Sequence, residues 1–174
     1  MIHFTSKYIS ALLNFLVLVA LFSFSSCMKR ESFPDIPEIE FAGYLNLYDT
    51  GQFARKGVLS ITFHDGNGDI GLNARDTSYP YQRGGDYYYN YIINYYEKQN
   101  GTFVKIDLDP PLNARIPVLT PDDPNRAIKG IIIDTLELNP HPLYDTIQLE
   151  LFIYDRALNK SNVVFTPAIL LRKQ

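Results

Sequence analysis

Residues 64–76 read His64-Asp65-Gly66-Asn67-Gly68-Asp69-Ile70-Gly71-Leu72-Asn73-Ala74-Arg75-Asp76, a concentration of short oxygen-bearing side chains and glycines. With Asp65 as position 1, side-chain oxygens fall at positions 1, 3, 5, 9 and 12, with Gly71 at position 7. A hard cation such as calcium takes about six to eight oxygens from a tightly curled backbone, which is what such spacing can supply. Asp65, Asn67, Asp69 and Asp76 would ligate by side chain, Gly71 by its carbonyl, and Asn73 directly or through water. Three carboxylates would outweigh the ion by one charge. Asp, Asn and Gly are also the residues that plain turns use without a metal, so both readings stay open. Calcium, if bound, would rigidify the loop by mass action on the folded state.

The register resembles the calcium loop of helix–loop–helix proteins, with departures. Ile70 stands where that motif has Gly, and Asp76 where it has the longer Glu. The flanks read as strand. The resemblance is therefore to a local ligand pattern, as in β-rich calcium modules, and not to that domain.

A second concentration is aromatic: eight of the thirteen tyrosines lie in YPYQRGGDYYYNYIINYY, residues 79–96. Tyr combines a flat apolar ring with a hydroxyl, which suits a protein interface or sugar stacking. It is also a good strand former that fills sandwich cores. The candidate surface comprises Tyr79, Tyr81, Tyr88, Tyr91 and Tyr96, beside a loop at Arg83-Gly84-Gly85-Asp86. The absence of Trp counts against a dedicated glycan platform.

Catalytic constellations are thin. His64 reads as an exposed strand residue, and His141, between Pro140 and Pro142, as a loop residue. Adjacent strand residues point to opposite faces, so His64 and Asp65 do not form a base with its orienter. No nucleophile elbow, metalloprotease helix or phosphate loop is present. Asp122-Asp123 is an acidic loop, and Asn100-Gly101-Thr102 a turn that happens to fit a glycosylation sequon. Asp134-Thr135-Leu136 and Asp145-Thr146-Ile147 are weak matches to an O-glycosylation pattern of Bacteroidetes. The chain reads as no enzyme; a hydrolase using a metal at the 65–76 loop is the weakest alternative.

The elements that hold these residues are strands. Period-two runs bounded by turn residues occur at 41–48, 58–64, 87–97, 102–108, 130–138, 146–154 and 163–171. Leu59, Ile61 and Phe63 share one face of the second run, and Asn100-Gly101 supplies the positive φ of a tight hairpin. Pro167 makes the last run an edge or places a bulge in it. Seven strands without a helical period predict an all-β, two-sheet sandwich. Sixteen Lys and Arg against nineteen Asp and Glu give −3, without the basic footprint of a nucleic-acid binder. One cysteine excludes a disulfide framework.

Residues 1–26 hold Lys7, a long apolar run from Ile9 and Ser25-Ser26 directly before Cys27, the pattern of a secretory signal. Ser25-Ser26-Cys27 resembles the lipobox of bacterial lipoproteins, with Phe24 bulkier than the usual Leu. The resemblance implies that Cys27 is acylated and anchors the chain, since several acyl chains hold where one is marginal. Residues 27–40 then read as a lipidated Cys and flexible tether, and 41–174 as the sandwich. Residues 154–162, YDRALNKSN, resemble the hairpin before the terminal strand of bacterial immunoglobulin-like domains. The whole resembles small Bacteroidetes lipoproteins with an immunoglobulin-like sandwich. That resemblance implies the cell envelope, with an outer-membrane anchor whose leaflet is open. The function expected is a non-enzymatic domain that binds or braces an envelope protein, possible calcium in one loop, or else a glycan-binding accessory module.

Overall fold

The structure, a computed structural model, describes Asn14 and residues 32–120, 126–139 and 142–173. The signal, Cys27, the start of the tether, Asp122-Asp123 and His141 lie outside the described residues. The chain divides into two units, Met1–Glu31 and Ser32–Gln174, and the second carries the fold.

Its strands are β1 (Glu38–Tyr48), β2 (Ala54–Asp65), β3 (Tyr91–Gln99), β4 (Thr102–Ile106), β5 (Ile128–Glu137), β6 (Thr146–Ile153), β7 (Val164–Phe165) and β8 (Ile169–Leu170). One sheet runs β1-β2-β5, the other β4-β3-β6-β7 with β8 also on β6, and every pairing is antiparallel. The two sheets make the expected all-β sandwich. Strands one, two and five oppose three, six and seven, as A, B and E oppose C, F and G in immunoglobulin-like domains. β4 adds beside β3.

Alternation decides what is buried. Leu59, Ile61 and Phe63 of β2 face Tyr91, Ile93 and Tyr95 of β3 and Ile147, Leu149, Leu151 and Ile153 of β6 in one core. In β1 a bulge between Phe41 and Gly43 lets Phe41 and Tyr44, three residues apart, both turn toward that core. The β3–β4 hairpin turns on Asn100 (φ 51°) and Gly101 (φ 89°), the positive-φ pair the sequence called for.

Expected boundaries change: β1 begins at Glu38, inside the expected tether and with Ile39 in the core, β2 begins at Ala54 rather than residue 58, and two further changes have clear causes. The run at 163–171 becomes two short strands, because Pro167 lies between β7 and β8 and has no N–H for a ladder. Thr166 leaves the regular ladder yet remains tied to β6. Its N–H donates to the Leu149 carbonyl at 2.9 Å, and its hydroxyl accepts from the Leu149 N–H at 3.0 Å. At the other boundary, the third strand starts at Tyr91 rather than Tyr87. Tyr87–Asn90 belong to the β2–β3 connection, and Arg115 holds them there by donating to the Tyr88 carbonyl at 2.5 Å.

Tyr44 lies across β2 at Gly57, where a Cβ would stand 2.0 Å from its hydroxyl oxygen and 2.5 Å from its Cζ. Gly57→Ala therefore has to displace a partly buried ring. Overpacking of this kind costs about 1–3 kcal/mol, to be read as a lowered denaturation midpoint in urea. An unchanged midpoint would show that the Tyr44 ring moves freely.

Candidate functional site

Four segments meet at one end of the sandwich: the entering chain before β1, the β2–β3 connection, the segment between β4 and β5, and the β6–β7 hairpin. The Gly66 N–H donates to the Pro34 carbonyl at 2.7 Å, and Leu72 to Ile116 at 2.9 Å. Arg156 donates through its backbone to the Asp69 carbonyl at 3.1 Å, and Ile70 bridges to Asp155. Asn90, buried, makes a two-way amide pair with Ile116: its Oδ1 accepts at 2.7 Å and its Nδ2 donates at 3.3 Å. Gly71 (φ +117°) passes so close to Pro117 that a Cβ would lie 2.2 Å from that carbonyl oxygen, so only glycine fits.

Period two carries two aspartates into this end. Asp65 continues the buried row of Leu59, Ile61 and Phe63, and Asp155 continues that of Ile147, Leu149, Leu151 and Ile153. Asp65 is 0 % exposed and Asp155 1 %. Asp155 is satisfied, since its two oxygens accept from the Asn159 N–H at 2.7 Å and the Asn159 amide at 2.8 Å. Asp65 is not: neither carboxylate oxygen has a hydrogen-bond donor, and Asp69 Oδ1 is likewise buried without one. Burial, then the charges of Asp69 and Asp155, push the Asp65 carboxyl up to about 6. The Asp69 and Ile70 amides oppose the shift without closing a hydrogen bond to it. Asp69 is also raised, by burial and then by Asp155, with the Ala157 N–H and Arg156 opposing.

Asp76 and Asn67, two of the other expected ligands, have partners of their own. Asp76 takes Arg156 in a two-pronged ion pair, at 2.6 Å and 3.2 Å, and accepts from the Asn73 N–H at 2.8 Å. The Arg156 hydrogen bond holds its carboxyl below the usual range. Asn67 Oδ1 accepts from the Asp69 N–H at 3.3 Å, closing an Asx turn. The Asn73 carbonyl accepts from Arg115 at 3.2 Å. The twelve-residue register therefore does not converge: Asp65 and Asp69 come together, with Asp155 from a distant hairpin, and Asp76 faces Arg156. Among the described residues, no three His, Cys, Asp or Glu side chains form a ready metal-binding group. Asp155 was missed as a site residue, although it ends an unbroken alternation that begins at Ile147.

The tyrosines do not form one surface. Tyr91 is 1 % exposed and belongs to the core, which corrects its placement on a binding face. Tyr81 donates to the Arg156 carbonyl at 2.5 Å and props the hairpin. Tyr88 packs edge-on against Tyr89 and under the Arg115 guanidinium, 4.9 Å from its ring centroid. Tyr96 lies on the outer face of the second sheet, hydrogen-bonded to Glu150 and beside Phe165. Among the described tyrosines Tyr79 alone stands open, at 88 % exposure. His64 bonds Glu38 at 2.7 Å and packs against Phe33, so it fastens the entering chain to β2.

Comparison with protein-family models, curated proteins and solved structures returned no match.

The Asp76–Arg156 pair links the β2–β3 connection to the β6–β7 hairpin. Asp76→Asn is expected to cost about 1 kcal/mol, the scale of a partly exposed charge-assisted pair. In a double-mutant cycle that loss should vanish in an Arg156→Gln background; additive losses would show that the two side chains act independently.

Proposed function

We propose that this chain is a membrane-anchored, non-enzymatic envelope lipoprotein whose β-sandwich binds or braces a protein partner through the outer face of its first sheet. The observation that carries the reading is an apolar strip on that face. Leu45, Ile131 and Ile133 are 60 %, 62 % and 67 % exposed. The register sets them in consecutive rows: Leu45 beside Val58, Ile133 beside Ser60, and Ile131 beside Thr62. Large side chains that protrude side by side from a sheet have no role in the core beneath and suit a covering surface. Polar pairs flank the strip, the His64–Glu38 hydrogen bond at one end and the Lys56–Glu137 ion pair at the other, each between neighbouring strands. An apolar centre with a polar rim is the anatomy of a protein interface.

Leu45 also lines an open groove of about 550 Å³ along the seam of β1 and β8, with Tyr44, Tyr48 and Leu170 among its walls. The strip thus continues around the edge of the sandwich. The glycan reading has less support, because only Tyr79 offers an open ring while Tyr81, Tyr88 and Tyr96 are committed to contacts of their own.

A photo-reactive side chain placed at Ile133 in cells should give one discrete adduct with an envelope protein. Ile131→Asp should remove that adduct without moving the melting temperature, since Ile131 packs no core. No adduct, together with glycan retention lost in Tyr79→Ala, would transfer the function to the glycan-binding alternative.

The anchor is tested separately. Cys27→Ser is expected to abolish incorporation of labelled palmitate and release the chain from the membrane fraction. Persistent labelling would refute the lipobox reading.

A further inference from the structure

We propose that β5 pairs antiparallel with β5 of a second copy of this chain, centred on Ile133, so that two three-stranded sheets join as one of six. The pairing goes beyond the partner-binding face, since it lengthens the first sheet rather than covering it.

Three observations carry it. The first is position. Among the described residues β5 pairs only with β2, and it runs ten residues, Ile128–Glu137, with no proline and no register shift. Edge strands of this length are ordinarily blunted by such devices.

The second is the direction of the backbone. The Leu138 N–H donates to the Arg55 carbonyl at 2.9 Å, one step beyond the Lys56–Glu137 pair of the register. Residue 138 therefore sits at a hydrogen-bonded pair, and bonded pairs alternate along an antiparallel ladder. Leu136, Asp134, Ile132 and Gly130 then bond to β2. The N–H and C=O groups of Glu137, Thr135, Ile133, Ile131 and Lys129 turn away from it.

The third is the row that those five residues form. All five side chains are exposed, and in chain order they read Lys, Ile, Ile, Thr, Glu, a base at one end and an acid at the other. An interface between identical surfaces has to be self-complementary, and this row is. Pairing about Ile133 sets it against Ile133 of the second copy, Ile131 against Thr135 of the second copy, and Lys129 against Glu137 of the second copy. The outward backbone groups then meet in five pairs, which gives about ten hydrogen bonds. No other antiparallel register opposes both charges to their complements, so the ends of the row select this one. Glu137 also meets Lys56 at 2.6 Å, but its side chain remains 74 % exposed and can take a second cation. Paired residues share a face of the sheet, so the apolar strips of the two copies join on one outer surface.

The test uses the full chain in cells, with single added cysteines and membranes treated with a mild oxidant. Ile133→Cys should give a disulfide-linked dimer, because facing bonded residues lie about 5.5 Å apart at Cα, within disulfide reach. Ile131→Cys and Thr135→Cys should each give none alone and a dimer when co-expressed. The parent, whose one cysteine is Cys27, sets the background. Melting temperatures in reductant that match the parent's show that the variants fold. Lys129→Glu should abolish coprecipitation of two differently tagged copies, and Glu137→Lys added to the same chain should restore it. Absence of a dimer from Ile133→Cys, or an equal dimer from Ile131→Cys alone, would overturn the pairing. A charge swap that restores nothing would overturn it too. The covering-partner reading stands or fails separately, because an adduct with another protein and a disulfide between two copies run as different bands.

Discussion

The constraint on which this end of the molecule depends is the parity of two strands. A side chain two residues beyond a buried one on the same strand is directed into the same core. After Leu59, Ile61 and Phe63, position 65 has to point inward, and after Ile147, Leu149, Leu151 and Ile153, so does position 155. Both positions are Asp. Two carboxylates are thus carried into the interior by the same alternation that builds the hydrophobic core, and the surrounding loops have to cope with them. Asn159 serves Asp155 from within its own hairpin. Asp65 has no such neighbour.

The loops nearby are correspondingly over-determined. Arg115 ties the β2–β3 connection from one side, donating to the carbonyls of Tyr88, Asn73 and Asp76. Arg156 ties it from the other, through Asp76 and the Asp69 carbonyl. The entering chain is pinned by Pro34 on Gly66 and by Asn162. The Asn162 side chain accepts from the Ile39 N–H at 2.8 Å and donates to its carbonyl at 2.9 Å, so it stands in for a strand residue between the sheets. Ser161 beside it accepts from the Ile153 N–H at 3.0 Å. The Asp, Asn and Ser of the hairpin that resembled immunoglobulin-like domains have a concrete job: each satisfies backbone or side-chain groups where the strands end.

Much of this was legible in the residues. The strand runs, their inward faces and the Asn100-Gly101 hairpin follow from local chemistry, because pleat and turn geometry act over a few residues. What lies beyond reach is contact between distant segments. Asp76 fits a calcium register by spacing, but a residue eighty positions away, Arg156, takes its carboxylate. Tyr87–Tyr89 look like strand because Tyr favours strands, yet Arg115 and the segment before β5 recruit them into a loop. Tyr91 is indistinguishable from Tyr88 by type, and only the start of β3 sends one into the core and the other under a guanidinium. Asp65 and Asp155 are an intermediate case. Their burial was readable from parity, whereas their convergence required the topology.

The same parity argument runs outward on the first sheet. On β5, the residues that alternate with Ile132 and Leu136 are Ile131, Ile133 and Thr135, so a strand with isoleucine at 131, 132 and 133 must present part of that surface to solvent. Among the described residues β5 pairs only with β2, so it is an edge strand of its sheet. Sheet edges that stand free in solution are usually blunted by charge, a proline or a bulge, to avoid pairing with other chains. Here Lys129 and Glu137 sit at the two ends of the strand, and no proline or register break interrupts it. Protruding isoleucines beside an edge strand suit a sheet that is covered, which favours the proposed partner-binding face.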